Sequence, residues 1–356
     1  MSGLHFHALR VAQVAADGDE ARTVTFEVPE HLRESFGFQP GQYLTLRQQL
    51  DGQELRRSYS ICAAADEPLR VGVRRVPGGA FSPWLHEHLR AGDHIDVMPP
   101  QGRFGAALAQ PAPRRHLLGI AGGSGITPIL SILKTVLARE PLARFTLLYG
   151  NRNAGSTMFK EELEDLKNRY MTRLVLHPVF SREQVDSPLN SGRLDRDKVA
   201  TLLKLVGPVD EAFVCGPHAL NNEAEAALLA AGVAADRIHI ERFGVPPAVA
   251  ATISHAPQAG DATSARITVV RDGLTRDVPF SASDESILAA AARAGLDVPY
   301  SCKSGVCATC RAKLMEGQVR MDRNFALDRA DLDAGFVLTC QAHPLTERVV
   351  VSFDER

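Results

Sequence analysis

The residues in this 356-residue chain with the clearest chemistry are cysteines. Four of the six lie in the last sixth of the sequence, where Cys302-Lys-Ser-Gly-Val-Cys307-Ala-Thr-Cys310 reads C-x4-C-x2-C and Cys340 follows after 29 further residues. Four thiolates at this spacing suit a [2Fe–2S] cluster, held in a loop thin enough for its amide groups to reach the sulfurs. Gly305 and the small Ser304, Ala308 and Thr309 permit that wrapping. Four cysteines also bind zinc, but structural zinc sites usually pair two separated C-x2-C knuckles, whereas three ligands crowd one loop here. Cys62, far from this group, reads as a small buried hydrophobe.

Two earlier stretches suit a redox nucleotide. Arg57-Ser58-Tyr59-Ser60 offers a cation, an aromatic plane and hydroxyls, and Gly78-Gly79-Ala80-Phe81-Ser82 turns into a helix whose N-terminus could meet phosphate. A flavin needs those groups, although Arg-x-Tyr-Ser taken alone is an ordinary strand fragment. Further on, Gly122-Gly123-Ser124-Gly125-Ile126-Thr127-Pro128 follows an apolar strand and opens a helix, so phosphate could approach backbone amides at the positive end of the helix dipole. The third glycine of the dinucleotide fingerprint is missing, which leaves the bare motif weak. Cys215-Gly216-Pro217 ends a later strand and, by itself, is a strand-ending turn.

The second strand of this region ends in Tyr149-Gly150-Asn151-Arg152 with no Asp or Glu placed for a ribose 2′-hydroxyl, and Ser181-Arg182 follows the third. Cations in place of an acid favour the 2′-phosphate of NADPH over NADH. Both arginines can also be read as solvated loop charges.

Three kinds of element must position these residues. Residues 1–108 show short alternating or β-branched runs (23–28, 43–46, 70–76, 94–97) broken by Gly and Pro, with one helix at 81–90: an antiparallel β-barrel. Residues 109–245 alternate apolar strands (116–121, 145–149, 174–180, 212–215) with helices (128–138, 157–170, 195–203, 221–231), which implies a parallel α/β sheet. Residues 246–263, rich in Ala, Pro, Gly and Ser, read as a linker. Residues 264–356 open with a hairpin turned at Asp272-Gly273 and a helix at 287–294 that leads into the cysteine loop. The chain is thus multidomain.

Composition excludes little else. A formal net charge of −2 gives no reason to expect nucleic acid or an anionic membrane as partner. The uncharged stretch 117–133 is too short and too rich in Gly and Pro to span a membrane. Met1–Val11 lacks the cationic start and apolar core of a signal peptide, so a cytoplasmic location is expected. His5, His7, His86 and His88 read as surface or packing residues.

The combination of Arg57-Ser58-Tyr59-Ser60, Pro100-Gln101-Gly102-Arg103-Phe104 and Gly122–Pro128 across residues 6–244 resembles the ferredoxin–NADP reductase family, and residues 264–356 resemble a plant-type ferredoxin of the β-grasp fold. The resemblance implies that Arg57, Ser58, Tyr59 and Ser60 hold FAD, that Arg74 and Val76 lie near its ring or tail, and that Gly79, Ala80, Phe81 and Ser82 form the pyrophosphate turn. It implies Gly123, Gly125, Thr127, Arg152, Ser181, Arg182, Gly216 and Pro217 as NADPH residues, Glu241 and Phe243 beside the flavin, Ser60 and Cys215 at the reacting edge, and Cys302, Cys307, Cys310 and Cys340 as cluster ligands. The domain order resembles that of oxygenase reductases. Within them, Tyr300–Leu314, Asn324–Leu327 and Ala334–Ala342 are similar to the reductase components of phenylacetyl-CoA epoxidases, which feed a di-iron oxygenase component. A reductase for a Rieske or other oxygenase shares the three domains, and a flavin and iron–sulfur sensor module is a further reading. Electrons would pass from NADPH through FAD and the cluster to the oxygenase.

Overall fold

A computed structural model describes residues 5–112, 114–245, 255 and 258–355. The chain divides into two compact units: residues 6–243, and residues 244–356 together with 1–5. Each is considered separately.

The first unit begins with a six-stranded antiparallel sheet made of β1 (His7–Asp17), β2 (Ala21–Glu27), β3 (Tyr43–Leu50), β4 (Gln53–Ser60), β5 (Arg70–Arg74) and β6 (His94–Gln101), in the order β4-β3-β6-β1-β2-β5. Strand β3 turns into β4 at Asp51-Gly52, both left-handed, the conformation that a two-residue hairpin of matching twist requires. Ile61, just beyond β4, bridges Val71 of β5, and Cys62 N donates to Arg70 O at 2.9 Å. The two edges of the sheet therefore meet, and it closes as a barrel around Leu9, Val24, Leu44, Leu46, Val71 and Val97. Helix α1 (Phe81–His88) plugs one end with Phe81 and Leu85.

The rest of this unit is a five-stranded parallel sheet: β7 (His116–Gly122), β8 (Arg144–Asn151), β9 (Leu174–Phe180), β10 (Glu211–Gly216) and β11 (Ile238–Arg242), in the order β11-β10-β7-β8-β9. Helices α2 (Ile126–Arg139) and α3 (Lys160–Tyr170) cover one face, and α4 (Arg196–Val206) and α5 (His218–Ala230) the other. Strand β7 shows why its sequence is continuously apolar: Leu117 and Ala121 enter the first core, while Leu118 and Ile120 enter the second. The strand order reverses between β7 and β10, which puts a crevice at their C-terminal ends, where open α/β sheets bind ligands.

Expected and observed boundaries differ in places with a physical cause. Helix α3 begins at Lys160 rather than 157 because Phe159 is left-handed, with φ +55°. Strand β11, absent from the strands expected from sequence, is the sheet's edge and pairs with β10 from Ala212↔Ile238 to Gly216↔Arg242.

The barrel and the α/β lobe are joined by partly buried polar contacts. Arg70 grips Glu162 through both carboxylate oxygens at 2.8 Å, Lys134 Nζ reaches Glu67 and Glu162 at 2.5 Å each, and Ser131 Oγ donates to Ala63 O at 2.7 Å. Cys62 lies beneath this cluster, fully buried, its thiol pushed up to about 12 by burial.

The second unit holds β12 (Ser264–Arg271), β13 (Leu274–Ser281), β14 (Arg311–Glu316), β16 (Phe336–Leu338) and β18 (Arg348–Ser352) in the order β13-β12-β18-β14-β16, with β15 (Val319–Met321) and β17 (Ala342–Pro344) as a small second sheet. Strands β12 and β18 are parallel. Helix α6 (Ile287–Arg293), capped by Ser286 Oγ, packs Ile287 and Leu288 onto the sheet, and the short α7 (Arg329–Asp333) is capped by Asp328. Asp272 and Gly273 both adopt positive φ, so the β12–β13 hairpin turns as its Asp-Gly pair predicts. Of the expected linker, 246–254, 256 and 257 lie outside the described residues. His255 contacts Asp322 at 2.8 Å and Ala262 N donates to Pro344 O at 2.9 Å, so the described part is tied to this fold.

Candidate functional site

In the second unit the four clustered cysteines associate two by two. Cys302 hydrogen-bonds with Cys307, and Cys310 with Cys340. Within each pair one sulfur is drawn towards thiolate by the thiol that donates to it: Cys302 falls to about 5 and Cys340 is also lowered, while Cys307 and Cys310 move up. Further donors converge on the lowered sulfurs, Ser304 N on Cys302 at 3.4 Å and Gln341 Nε2 on Cys340 at 3.6 Å. Left-handed φ at Lys303, Gly305 and Ala308 wraps the loop. At Gly305 a side chain would start 3.3 Å from both Arg323 O and Gln341 Cγ, so only glycine passes there without displacement. Two sulfur pairs fit two metal ions sharing one centre, the donor set of a [2Fe–2S] cluster.

In the first unit the barrel carries Arg57, Ser58, Tyr59 and Ser60 on β4. Arg57 is exposed, Ser58 and Tyr59 are half-buried, and the Tyr59 ring lies 6.1 Å from Phe81. Ser60 is buried, and its Oγ donates to Glu241 Oε2 at 3.2 Å. Burial pushes the Glu241 carboxyl up to about 8 against the opposing pull of Ser60. Cys215, fully buried, pairs with Glu241 in the parallel ladder, and its thiol is pushed well up by burial and by that carboxylate. The β10–β11 pairing and the Ser60–Glu241 hydrogen bond thus bring Ser60, Cys215 and Glu241 into one neighbourhood. Phe243 is 45% exposed at the end of the unit, and Val76 is 56% exposed. Val76 nevertheless anchors the turn before α1: its N–H donates to Ser82 Oγ at 3.0 Å, and its carbonyl accepts from Gly79 N at 3.0 Å. Neither Ala80, the cap of α1, nor any other side chain caps that helix, whose first amides remain available to phosphate.

The glycine turn lies at the crevice of the parallel sheet. A Cβ on Gly125 would fall 2.0 Å from Cys215 O, and one on Gly216 3.1 Å from Gly122 Cα. The β7 and β10 loops therefore touch backbone to backbone, which explains both glycine words. Pro217 packs against Gly122 in the same crevice. Thr127 is buried and donates to Ser124 O at 2.9 Å rather than outward. Helices α2 and α5 start at Gly125 and Pro217 without side-chain caps, whereas α4, away from the crevice, begins on an Asp195 cap. Buried Asn221, in the first turn of α5, donates to Glu241 O at 3.1 Å and leaves its Oδ1 without a donor. An uncapped helix start and an orphaned acceptor at one crevice fit a bound dinucleotide. Nothing in the sequence distinguished Asn221 from any other helical asparagine.

Arg74 reaches across to the other lobe. Its Nη1 would be 2.7 Å from a Cβ on Gly123, so its guanidinium faces the glycine turn of the α/β lobe. Its Nη2 donates to Glu20 Oε2 at 2.6 Å, and Arg152 Nη2 reaches the same oxygen. Ser181 N donates to Asn151 O at 2.9 Å and Arg182 N to Arg152 O at 2.8 Å, which gathers Arg152, Ser181 and Arg182 on one sheet edge.

Comparison with known proteins matches this geometry. An oxidoreductase FAD-binding domain matches residues 9–105, an oxidoreductase NAD-binding domain residues 120–226, and a 2Fe-2S iron-sulfur cluster binding domain residues 269–345. A component of the 1,2-phenylacetyl-CoA epoxidase of Escherichia coli (strain K12) is 46% identical over 99% of this chain and 98% of its own. The ferredoxin reductase component of 3-ketosteroid-9-alpha-monooxygenase from Mycobacterium tuberculosis is 36% identical over 99% and 97%. The chain belongs to the oxygenase-reductase family. As a reductase of this family it carries FAD-binding, NAD-binding and [2Fe–2S] domains in one polypeptide and is an NAD(P)H-dependent flavin and iron–sulfur oxidoreductase. The fold of the reductase is that of phthalate dioxygenase reductase, with a TM-score of 0.60 at 22% identity over 98% of both chains. Among the described residues no helix is long and apolar enough to cross a membrane.

Proposed function

We propose that this reductase takes hydride from NADPH and delivers single electrons to the di-iron oxygenase component of a phenylacetyl-CoA epoxidase, in the cytoplasm and without nucleic-acid or membrane partners. The 46% identity with the Escherichia coli epoxidase component over nearly the whole of both chains carries this reading. Reductase components of a ketosteroid monooxygenase, at 36%, keep a Rieske or other oxygenase as the second acceptor to test.

Residues 1–108 would take the flavin and 109–245 the nucleotide, 246–263 would form the connection, and 264–356 would take the cluster. A bound flavin accepts two electrons as hydride and gives them up singly, which is what links a nicotinamide to a [2Fe–2S] cluster. Tyr59 would cover the flavin ring, Ser60 would meet its reactive edge, Arg57 and the Gly79–Ser82 turn would hold its phosphates. Burial raises the Glu241 carboxyl to about 8, and Ser60 donates to it, so Glu241 would serve as a proton store beside that edge. Gly123, Gly125 and the α2 N-terminus would take the dinucleotide pyrophosphate, with Arg74 facing them. Gly216, Pro217 and Cys215 would seat the nicotinamide in the crevice, and Phe243 would flank the flavin. Arg152, Ser181 and Arg182 would take the 2′-phosphate. Cys302, Cys307, Cys310 and Cys340 would bind the cluster.

The test is reconstitution with the oxygenase component of the epoxidase, phenylacetyl-CoA and NADPH. Product formed in step with NADPH oxidation supports the assignment. Oxidation without product, together with turnover of a Rieske oxygenase partner, overturns the choice of acceptor. NADPH bleaching of flavin and cluster absorbance tests the electron route independently.

A further inference from the structure

An acid stands next to Arg152 after all, supplied by the other lobe. The absence of Asp or Glu at the end of β8 argues from sequence for NADPH, yet Glu20, 132 residues earlier in the turn between β1 and β2, pairs with Arg152 through Oε2. The same oxygen accepts from Arg74 Nη2 at 2.6 Å and Nε at 3.2 Å. One carboxylate is therefore shared by two guanidiniums: one against the glycine turn, the other at the strand end where the adenosine ribose would lie.

The placement is built in. Asp17 Oδ1 accepts from Phe159 N at 2.8 Å, and Asp19 N donates to Gly155 O at 3.2 Å. Gly18, with φ +62°, approaches so closely that a Cβ would lie 2.9 Å from Gly155 O, and one on Gly155 would lie 2.5 Å from Asp19 Oδ2. The β1–β2 turn is stapled to the segment after β8, which sets Glu20 beside Arg152. Stability is a weak reason for this arrangement, because Glu20 and Arg152 are 39% and 38% exposed and ion pairs that exposed contribute little. The neighbouring acid Glu183 is occupied, accepting from Ala154 N at 2.7 Å.

We propose that Glu20 is a specificity residue for the nicotinamide dinucleotide: it competes with the 2′-phosphate for Arg152 and can itself accept a ribose 2′-hydroxyl, so it narrows the preference for NADPH and admits NADH. The inference rests on the assignment of Arg152 and Arg182 to the adenosine 2′ position. A 2′-phosphate must displace the carboxylate and then lie close to it, like charge against like charge, whereas a hydroxyl finds an acceptor. Removing the charge frees Arg152 for phosphate and costs NADH its partner.

The experiment compares wild type, Glu20→Gln and Glu20→Ala as flavin- and cluster-loaded proteins. The binding of adenosine 2′,5′-bisphosphate and of 5′-AMP is measured by calorimetry, and kcat/KM is measured for NADPH and NADH. Both variants should bind the bisphosphate at least about threefold more tightly with 5′-AMP unchanged or weaker, and raise the NADPH:NADH ratio of kcat/KM by at least about threefold. A purely structural ion pair would move both probes together and leave the ratio flat, and that result overturns the inference. Arg152→Ala separates the two levels. If it abolishes a wild-type preference for bisphosphate that the Glu20 variants leave unchanged, the NADPH assignment stands and the role of Glu20 falls. If neither wild type nor the Glu20 variants distinguish the two probes, both fall.

Discussion

Ser60 Oγ and Glu241 Oε2 are 3.2 Å apart although 181 residues separate them in sequence, and this hydrogen bond ties the end of the barrel strand β4 to the edge strand β11. A serine buried in one lobe and a carboxyl from the other meet because the lobes are held by Arg70–Glu162 and by Lys134 with Glu67 and Glu162.

Glu241 should give this contact a pH dependence. Its carboxyl titrates near 8, above its ordinary 4.5, because burial disfavours the charge. The folded protein thus binds more protons than the unfolded chain between about 4.5 and 8, and stability falls as pH rises through that window. The urea midpoint of wild type should decline from pH 5 to 8.5 more steeply than that of Glu241→Gln. Flavin reduction by NADPH should lose a limb near pH 8 in the same variant; parallel curves would remove Glu241 from the proton path.

Replacing a paired cysteine should separate the two redox centres. With Cys302→Ser or Cys340→Ser, cluster absorbance should disappear and cytochrome c reduction fall at least about tenfold, while NADPH–ferricyanide activity, which needs the flavin alone, persists. Equal loss of both activities would mean that the substitution unfolds the first unit as well.

Two glycines should respond differently to alanine. At Gly125 the new methyl would sit 2.0 Å from Cys215 O, so backbone must move, at a cost of about 1–3 kcal/mol and with weaker NADPH binding. At Gly78 the methyl meets nothing within 4 Å, and only the left-handed φ of +73° is strained, costing about 1–2 kcal/mol with NADPH binding intact. Titration calorimetry and urea denaturation on both variants check the contrast.

Arg115 and Glu140 form an ion pair with each side chain under 8% exposed, joined by Nε–Oε2 at 2.7 Å. Arg115→Met alone should cost about 3–5 kcal/mol, because it leaves a buried carboxylate unpaired, and Arg115→Met with Glu140→Leu should recover most of that loss. A double variant no more stable than the single one would show that packing, not charge, holds this corner.

Much of this architecture was legible in sequence because its signals are local. The cysteine spacing, the glycine turn before α2 and the Asp272-Gly273 hairpin each depend on a few adjacent residues. Strand β1 is harder to see: only Leu9 and Val11 of its eleven residues are fully buried, and a register shift between Val11 and Gln13 breaks the alternation. Glu20 and Asn221 could not be singled out either. Their meaning depends on what lies across from them, Arg152 and Glu241, and no spacing along the chain encodes those encounters.

The position of β18 has a consequence for biosynthesis. Residues 348–352 form the middle strand of their sheet, parallel to β12 on one side and antiparallel to β14 on the other. The cysteine loop and the strands on both flanks are therefore synthesised before the strand that unites them. Until then those flanks have exposed edges, and the sulfur pairs lack a completed sheet beneath them. A substitution that breaks β18 should therefore leave the same species as iron starvation: a yellow protein, able to oxidise NADPH, whose cysteine loop holds no cluster.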